Sequence, residues 1–150
     1  MTSQTPILVD TSVWSLALRR RRKDLSASER SIVMTLEDLI RDGQTIIIGP
    51  VRLEILSGID DENYFRKIRD YLREFDDEPV TLEDYEEAAR IYNLCAAAGV
   101  AGSPNDLVIC AVALRLNIPV FTLDADFTRY ARIVPLHLPS ARQIGKGDWN

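Results

Sequence analysis

Short apolar segments that alternate with helical stretches constrain the fold of this chain more than any other feature of its sequence. Such segments are typical of strands buried on both faces, and the stretches between them carry apolar residues at helical spacing. Strands that alternate with helices in this way form a parallel sheet covered by helices. We therefore predict an α/β fold, a single three-layer α/β/α domain over residues 1–150 with a central parallel sheet of four or five strands. The apolar segments are residues 7–9, 45–48, 120–123 and 133–136.

The charged residues and the single histidine narrow the chemistry that is available to this chain. With 18 Lys and Arg against 23 Asp and Glu, the formal net charge is −5, so the molecule as a whole should repel nucleic acid. Because His137 is the only histidine, a histidine-rich zinc site is excluded and a Ser-His-Asp triad would need this one residue. Any catalysis must therefore be carried mainly by carboxylates.

The cysteines and the first residues bear on the compartment in which the protein works. Cys95 and Cys110 cannot build a disulfide framework, and we interpret them as reduced packing thiols. Residues 1–6 lack the basic start and apolar stretch of a signal peptide. No apolar run reaches the roughly 20 residues that span a bilayer. We expect the protein to stay in the cytoplasm.

Four acidic residues stand at positions where a parallel sheet binds its ligands. Asp10 and Asp124 each follow an apolar strand directly. Glu54 lies in a short predicted helix that starts just after the second strand, and Asp106 lies in the first turn of a largely apolar helix that starts at Ser103. Since ligands bind outside the carboxyl ends of such strands, we expect the four acids to converge there.

Each of these acids also has a purely structural interpretation. Asp10 and Asp124 could cap the helices that follow them, Ser103 with Asp106 resembles a capping box, and Glu54 could be a solvated residue. Taken together, however, four acids at one sheet edge would repel one another unless a cation held them. Oxygen ligands without His or Cys favour Mg²⁺ or Mn²⁺.

The order and spacing of these acids resemble those of the PIN domain, and within that fold the chain is similar to the VapC toxins of prokaryotic toxin–antitoxin pairs. The resemblance extends from residue 7 to about residue 138. No single motif is specific, but the ordered set of four is. The matching segments are Asp10 after the first strand, Arg52-Leu53-Glu54-Ile55-Leu56-Ser57-Gly58, Asn105-Asp106 and Thr122-Leu123-Asp124-Ala125-Asp126-Phe127.

The resemblance implies a Mg²⁺-dependent ribonuclease, with Mn²⁺ as a substitute, that cleaves RNA phosphodiester bonds. It also implies a homodimer that is silenced by a small cognate antitoxin protein. Asp10 and Asp106 match the principal metal ligands, Glu54 and Asp124 complete the acidic quartet, and Asp126 matches a position that is often acidic. The supporting polar positions that it assigns are Thr11, Ser12 and Asn105.

A run of five basic residues interrupts the otherwise acidic sequence. Three interpretations of this run are open. It could form a patch that steers RNA phosphates towards the site, it could be a solvated loop, or it could contact the antitoxin. The run is Arg19-Arg20-Arg21-Arg22-Lys23.

Two other functions compete with the nuclease. Residues 120–128 match the DxDxT motif of haloacid-dehalogenase-like phosphatases, with Asp124 as nucleophile and Asp126 as acid/base. That motif normally begins its fold, whereas only 24 of the 150 residues follow Asp126 here. The other alternative is a catalytically inactive PIN-fold interaction module, which a nuclease assay with and without EDTA would distinguish from the enzyme.

Overall fold

Strand β1 (Ile7–Val9) forms the centre of the sheet. In the computed structural model, which describes residues 5–149, β1 pairs in parallel with β2 (Thr45–Ile46) and with β3 (Val120–Phe121). The strand order is β2-β1-β3, and Leu8 is the residue whose Cα faces a partner in both neighbours. Residues 1–4 and 150, which belong to the predicted domain 1–150, lie outside the described residues.

The expectation of four or five strands is wrong, because the described residues form a sheet of three. Segment 133–136, which we predicted to be a strand, instead continues a turn. The N–H groups of Ile133 and Val134 both donate to the carbonyl oxygen of Tyr130, at 2.9 and 3.0 Å, and Pro135 has no N–H. The segment therefore has no row of free donors with which to form a sheet ladder.

Eight α-helices accompany this sheet in the part of the chain that the structure describes, with a short 3-10 helix at Arg22–Asp24. None of the helices in residues 5–149 is long and apolar enough to cross a membrane. Thr81 with Asp84 three residues on predicts the start of a helix, and the structure confirms it, since the two residues form a capping box. The helices are α1 (Thr11–Arg19), α2 (Ala27–Arg41), α3 (Gly49–Leu56), α4 (Glu62–Leu72), α5 (Leu82–Ala97), α6 (Pro104–Leu116), α7 (Asp126–Tyr130) and α8 (Ala141–Gly145).

Helix α6 is the most buried of these helices. Residues 106–113 are all buried, and α5 packs along α6. A helix that is apolar on nearly all sides is buried on nearly all sides, as the sequence of α6 requires. Its first turn carries Asp106 into this apolar environment, where the exposed fraction of the residue is 9%.

Helix α3, which carries Glu54, is tied to the end of α4 by one arginine. The Arg52 guanidinium donates to the carbonyl oxygens of Leu72 and Phe75, both at 2.8 Å, and to the Asp77 carboxylate at 2.8 Å. Because Arg52 uses its fork of donors on three acceptors of one segment, it fixes how α3 sits on that segment.

Candidate active site

Asp10 stands at the end of β1, directly before helix α1. It occupies the N-cap position of α1, yet its side chain makes no capping hydrogen bond, so the interpretation as a helix cap is wrong. Its Oδ2 instead accepts hydrogen bonds from Ser12 Oγ at 2.7 Å and from Thr122 Oγ1 at 2.8 Å. No hydrogen bond within residues 5–149 reaches its Oδ1. One oxygen of this buried carboxylate is therefore open to a ligand.

The same two hydroxyls tie the loop after β3 to the end of β1. Ser12 Oγ accepts from Leu123 N at 3.0 Å, and Thr122 Oγ1 accepts from Asp124 N at 3.0 Å. Asp124 Oδ1 in turn accepts from Asp126 N at 2.9 Å. The position of the loop that carries Asp124 and Asp126 is thus set by hydrogen bonds from the neighbouring strand end.

Asp106 is held by a hydrogen bond from α7. The Tyr130 hydroxyl donates to Asp106 Oδ2 at 3.1 Å and accepts from Ser103 N at 3.4 Å. The predicted capping box of Ser103 with Asp106 is wrong, since the Ser103 side chain makes no capping hydrogen bond. The Asp106 carboxylate faces Tyr130 rather than the helix N-terminus.

The environment of Asp106 resists its ionisation. The pKa of Asp106 is raised from 3.8 to about 6, chiefly by burial and in smaller part by the negative charges of Asp10, Asp124 and Glu54, while the Tyr130 hydrogen bond acts in the opposite direction. All three of the other predicted acids are thus near enough to act electrostatically on Asp106. Mutual repulsion of this kind is what the predicted convergence of the four acids would produce, and their role as one site stays a prediction.

Glu54 projects from α3 towards the same region. Its Oε1 is buried and has no hydrogen-bond partner in the structure. Burial raises the pKa of Glu54, a hydrogen bond from the Asn105 side chain partly opposes the rise, and the charges of Asp10 and Asp124 add to it. A buried carboxylate oxygen without a donor is costly unless a cation or another donor satisfies it.

Three carboxylates in this region are close enough to share one ion. One oxygen from each of Asp106, Asp124 and Asp126 lies within 4.8 Å of the other two. Asp126 is also paired with Arg129, whose Nη1 donates to Asp126 Oδ1. An all-oxygen donor set of this kind fits a hard divalent cation such as Mg²⁺ or Mn²⁺.

The remaining predicted residues divide into those near the acids and those that pair elsewhere. Thr11 Oγ1 is buried without a hydrogen-bond partner, and Ser12 and Asn105 act on the acids as described. The basic run lies at the end of α1 and in the 3-10 helix, and no ion pair within residues 5–149 joins it to the acidic cluster. Its ion pairs are Arg20–Glu29 at 3.1 Å, Arg21–Asp24 at 3.0 Å and Arg22–Glu37 at 2.7 Å.

Sequence reasoning missed three residues that contact the acids. Thr122 had a usable signal, because a hydroxyl two residues before a strand-end acid can turn back onto the neighbouring strand. Arg129 lies three residues after Asp126, a spacing at which helical side chains meet. Tyr130 had no signal, since its contact with Asp106 depends on how α7 packs against α6.

Comparisons with known proteins show which family this chain resembles. The family model described as PIN domain matches residues 7–133. The chain is 31% identical over 138 residues to VapC ribonuclease Mb1587 of Mycobacterium bovis and to Ribonuclease VapC11 of Mycobacterium tuberculosis. Each match covers 91% of this chain and 99% of the relative.

Two solved structures share the fold at low sequence identity. FitAcB from Neisseria gonorrhoeae superimposes with a TM-score of 0.70 at 18% identity. VapBC2 from Rickettsia felis, bound to a DNA fragment from its promoter, gives a TM-score of 0.67 at 19% identity. Both matches cover 91% of this chain and 98% of the other chain.

Proposed function

Since the chain belongs to the PIN domain family, we propose that it is the ribonuclease toxin of a VapC-type toxin–antitoxin pair and that it hydrolyses RNA with Mg²⁺. The observation that carries this proposal is the cluster of carboxylates at Asp106, Asp124 and Asp126, whose oxygens lie within 4.8 Å of one another. The charges of Asp10 and Glu54 act on Asp106 in the same region, and Glu54 Oε1 is buried without a partner. A haloacid-dehalogenase-like phosphatase is excluded, because the family match over residues 7–133 is to a different fold.

Asp10, Glu54, Asp106 and Asp124 are the residues that would hold the metal. When bound, Mg²⁺ or Mn²⁺ supplies a water of lowered pKa and a positive charge opposite the phosphate oxygens during in-line attack. The protein's part is to fix the carboxylates: Ser12 and Thr122 hold Oδ2 of Asp10, so its Oδ1 is the atom presented to the site. Rigid positioning of this kind is what a metal site needs from its surroundings.

Asp126 belongs to the same acidic cluster but has a weaker role in the proposal. Its Oδ1 is already paired with Arg129, so a metal would have to compete with a guanidinium for that oxygen. We place Asp126 at the outer side of the metal site. The acidic quartet carries the essential ligands.

A nuclease assay with a metal-depleted control tests this function. We expect cleavage of single-stranded RNA in Mg²⁺ or Mn²⁺, products that end in a 5′-phosphate and a 3′-hydroxyl, and no cleavage in excess EDTA. The Asp10→Asn chain, assayed beside the wild type, controls for contaminating nuclease. Undiminished cleavage in EDTA would refute the metal mechanism, and no cleavage under any condition would favour the inactive interaction module.

A groove lined by α3 and by Phe65 of α4 suits a small antitoxin. It has a volume of about 360 Å³ and is largely apolar. Leu53, which is 62% exposed, lines it next to Glu54. A partner segment with apolar side chains and a basic residue would fill the groove and neutralise the acids beyond it. We test this role by co-purifying the chain with the product of a neighbouring gene, and we expect Leu53→Asp to abolish the co-purification. Such a pair would act in the cytoplasm, where RNA is made.

The face of α5 and α6 supports the proposed homodimer. Leu82, Tyr85 and Tyr92 are exposed along one side of α5 and lie beside an apolar hollow of about 300 Å³ lined by Leu107 and Val108. Exposed aromatic and apolar side chains at such spacing are typical of interfaces. We expect a dimeric mass by light scattering and a monomeric mass for Tyr85→Arg.

A further inference from the structure

Tyr130 is a buried tyrosine whose hydroxyl lies between two elements of the acidic site. The residue is fully buried on α7, and its ring packs edge-on against Phe127 with ring centroids 5.3 Å apart. Its hydroxyl contacts both the backbone N–H at the start of α6 and the carboxylate in the first turn of that helix. A buried tyrosine hydroxyl usually finds a hydrogen-bond partner, and this one uses both its acceptor and its donor on the start of α6.

The direction of these hydrogen bonds follows from the chemistry of the donors. The backbone N–H of Ser103 can only donate, so the Tyr130 oxygen accepts from it at 3.4 Å. The single phenolic proton is then directed to Asp106 Oδ2, which accepts it at 3.1 Å. Asp106 Oδ2 is therefore an acceptor, and no hydrogen bond within the described residues reaches Asp106 Oδ1.

We propose that Tyr130 is the positioning residue for Asp106, because its hydroxyl holds Oδ2 and leaves Oδ1 as the oxygen that Asp106 offers to a divalent cation. The inference rests on the proposed metal site. The inference also means that α7, a short helix after β3, sets the orientation of the Asp106 carboxylate on α6. A carboxylate free to rotate would present its two oxygens in turn and bind a cation less tightly.

Asp10 shows the same arrangement with different donors. Its Oδ2 accepts from two hydroxyls, those of Ser12 and Thr122, and its Oδ1 accepts from none of the described residues. Asp10 is thus a second buried acid of this chain that is held by hydrogen bonds to only one of its two oxygens. Tyr130 does for Asp106 what Ser12 and Thr122 do for Asp10.

Binding of Mn²⁺ without RNA tests this role separately from cleavage. Isothermal titration gives the Kd of Mn²⁺ for the wild type and for Tyr130→Phe, which removes only the hydroxyl. We expect the Kd to rise by about 10- to 100-fold, the usual effect of losing a group that orients a metal ligand. Tyr71→Phe is the matched control, because the Tyr71 ring also packs edge-on, at 5.5 Å from Phe75, and its hydroxyl makes no hydrogen bond with a described residue.

A second variant keeps the test decisive if Tyr130→Phe does not fold. Ser103→Pro removes the N–H that donates to Tyr130 while keeping the tyrosine, and we expect a smaller rise in the Kd of Mn²⁺. A melting temperature lowered by Tyr130→Phe with a Kd within twofold of the wild type would show a structural role only and overturn the inference. A wild-type chain that binds no Mn²⁺ would instead refute the proposed metal site itself.

Discussion

Replacing Asp106 by Asn should make the metal-free protein more stable and at the same time inactive. The pKa of Asp106 is about 6 in the folded chain instead of 3.8, mainly because the carboxyl is buried. A rise of that size means that ionised Asp106 destabilises the fold by about 3 kcal/mol at a pH well above 6. The Asn amide oxygen still accepts from Tyr130, but the loss of charge weakens that bond by about 1 kcal/mol. We therefore expect a net gain of about 2 kcal/mol.

The pH dependence of this gain has a definite sign. Below about pH 3 the carboxyl is mostly protonated in both the folded and the unfolded chain, so its ionisation costs almost nothing. Between pH 3.8 and about 6 the unfolded carboxyl ionises first, and the wild type loses stability as the pH rises. The advantage of Asp106→Asn over the wild type should therefore be small at pH 4 and complete at pH 8.

Thermal unfolding in EDTA measures the effect directly. For a chain of this size, 2 kcal/mol corresponds to a rise in melting temperature of roughly 4–8 °C at pH 8. Added Mg²⁺ should raise the melting temperature of the wild type and have little effect on Asp106→Asn, because ligand binding stabilises only the form that binds it. RNA cleavage in Mg²⁺ should fall by orders of magnitude.

Asp84 provides a matched control with the opposite sign. It is also buried, but hydrogen bonds from Arg115, at 2.9 Å, and from Thr81 outweigh burial and lower the pKa of Asp84. Its charge therefore stabilises the fold at any pH above its usual range. Asp84→Asn should lower the melting temperature at pH 8 and leave the specific activity of the folded protein unchanged. If Asp106→Asn were destabilised at pH 8 and fully active, Asp106 would be a structural residue and the proposed site would lose its central ligand.

Three further perturbations test other parts of the site. Reversing the charges of the basic run 19–23 should weaken RNA binding and reduce the slope of its salt dependence if the run contacts phosphates, and an unchanged slope in a salt titration would identify it as a solvated loop. In Mg²⁺-dependent cleavage assays, Asp126→Asn should reduce activity much less than Asp124→Asn, because Arg129 already occupies an oxygen of Asp126; equal losses would contradict its outer position. Arg52→Met should lower the free energy of unfolding by about 2–3 kcal/mol in a urea titration, since it leaves two carbonyls and a carboxylate without their donor; a change below about 0.5 kcal/mol would contradict its anchoring role.

The sequence predicted acids at the carboxyl edge of the sheet and the elements that carry them, and the metal site that these acids would form stays a prediction. Asp10 and Asp124 follow apolar segments predicted to be strands, and Asp106 lies in the first turn of an apolar helix. Ligands of parallel sheets bind outside the carboxyl ends of the strands, and this rule indicates where to look for all three residues. The α/β class and the start of α5 at Thr81 followed from periodicity and capping chemistry. These features depend on residues that are near one another in the chain.

The predictions that failed depended on contacts between distant residues. The apolar segment 133–136 has the composition of a strand, but its backbone donors are used by a turn and Pro135 lacks one. Ser103 and Asp106 have capping-box spacing, yet a tyrosine of α7 competes successfully for the carboxylate. A local sequence pattern cannot predict such a competing hydrogen bond, because the bond depends on how distant elements pack together.

The hydrogen bond between Thr122 and Asp10 joins residues that are 112 positions apart in the chain. At 5–20 residues per second, a ribosome needs roughly 6–20 s to pass from one to the other. Until then the nascent chain lacks Asp124 and the short helix that follows it, so the proposed acidic quartet is incomplete. If that quartet is the active site, we expect a chain still in translation, or one released before Asp124, to leave the surrounding RNA uncleaved.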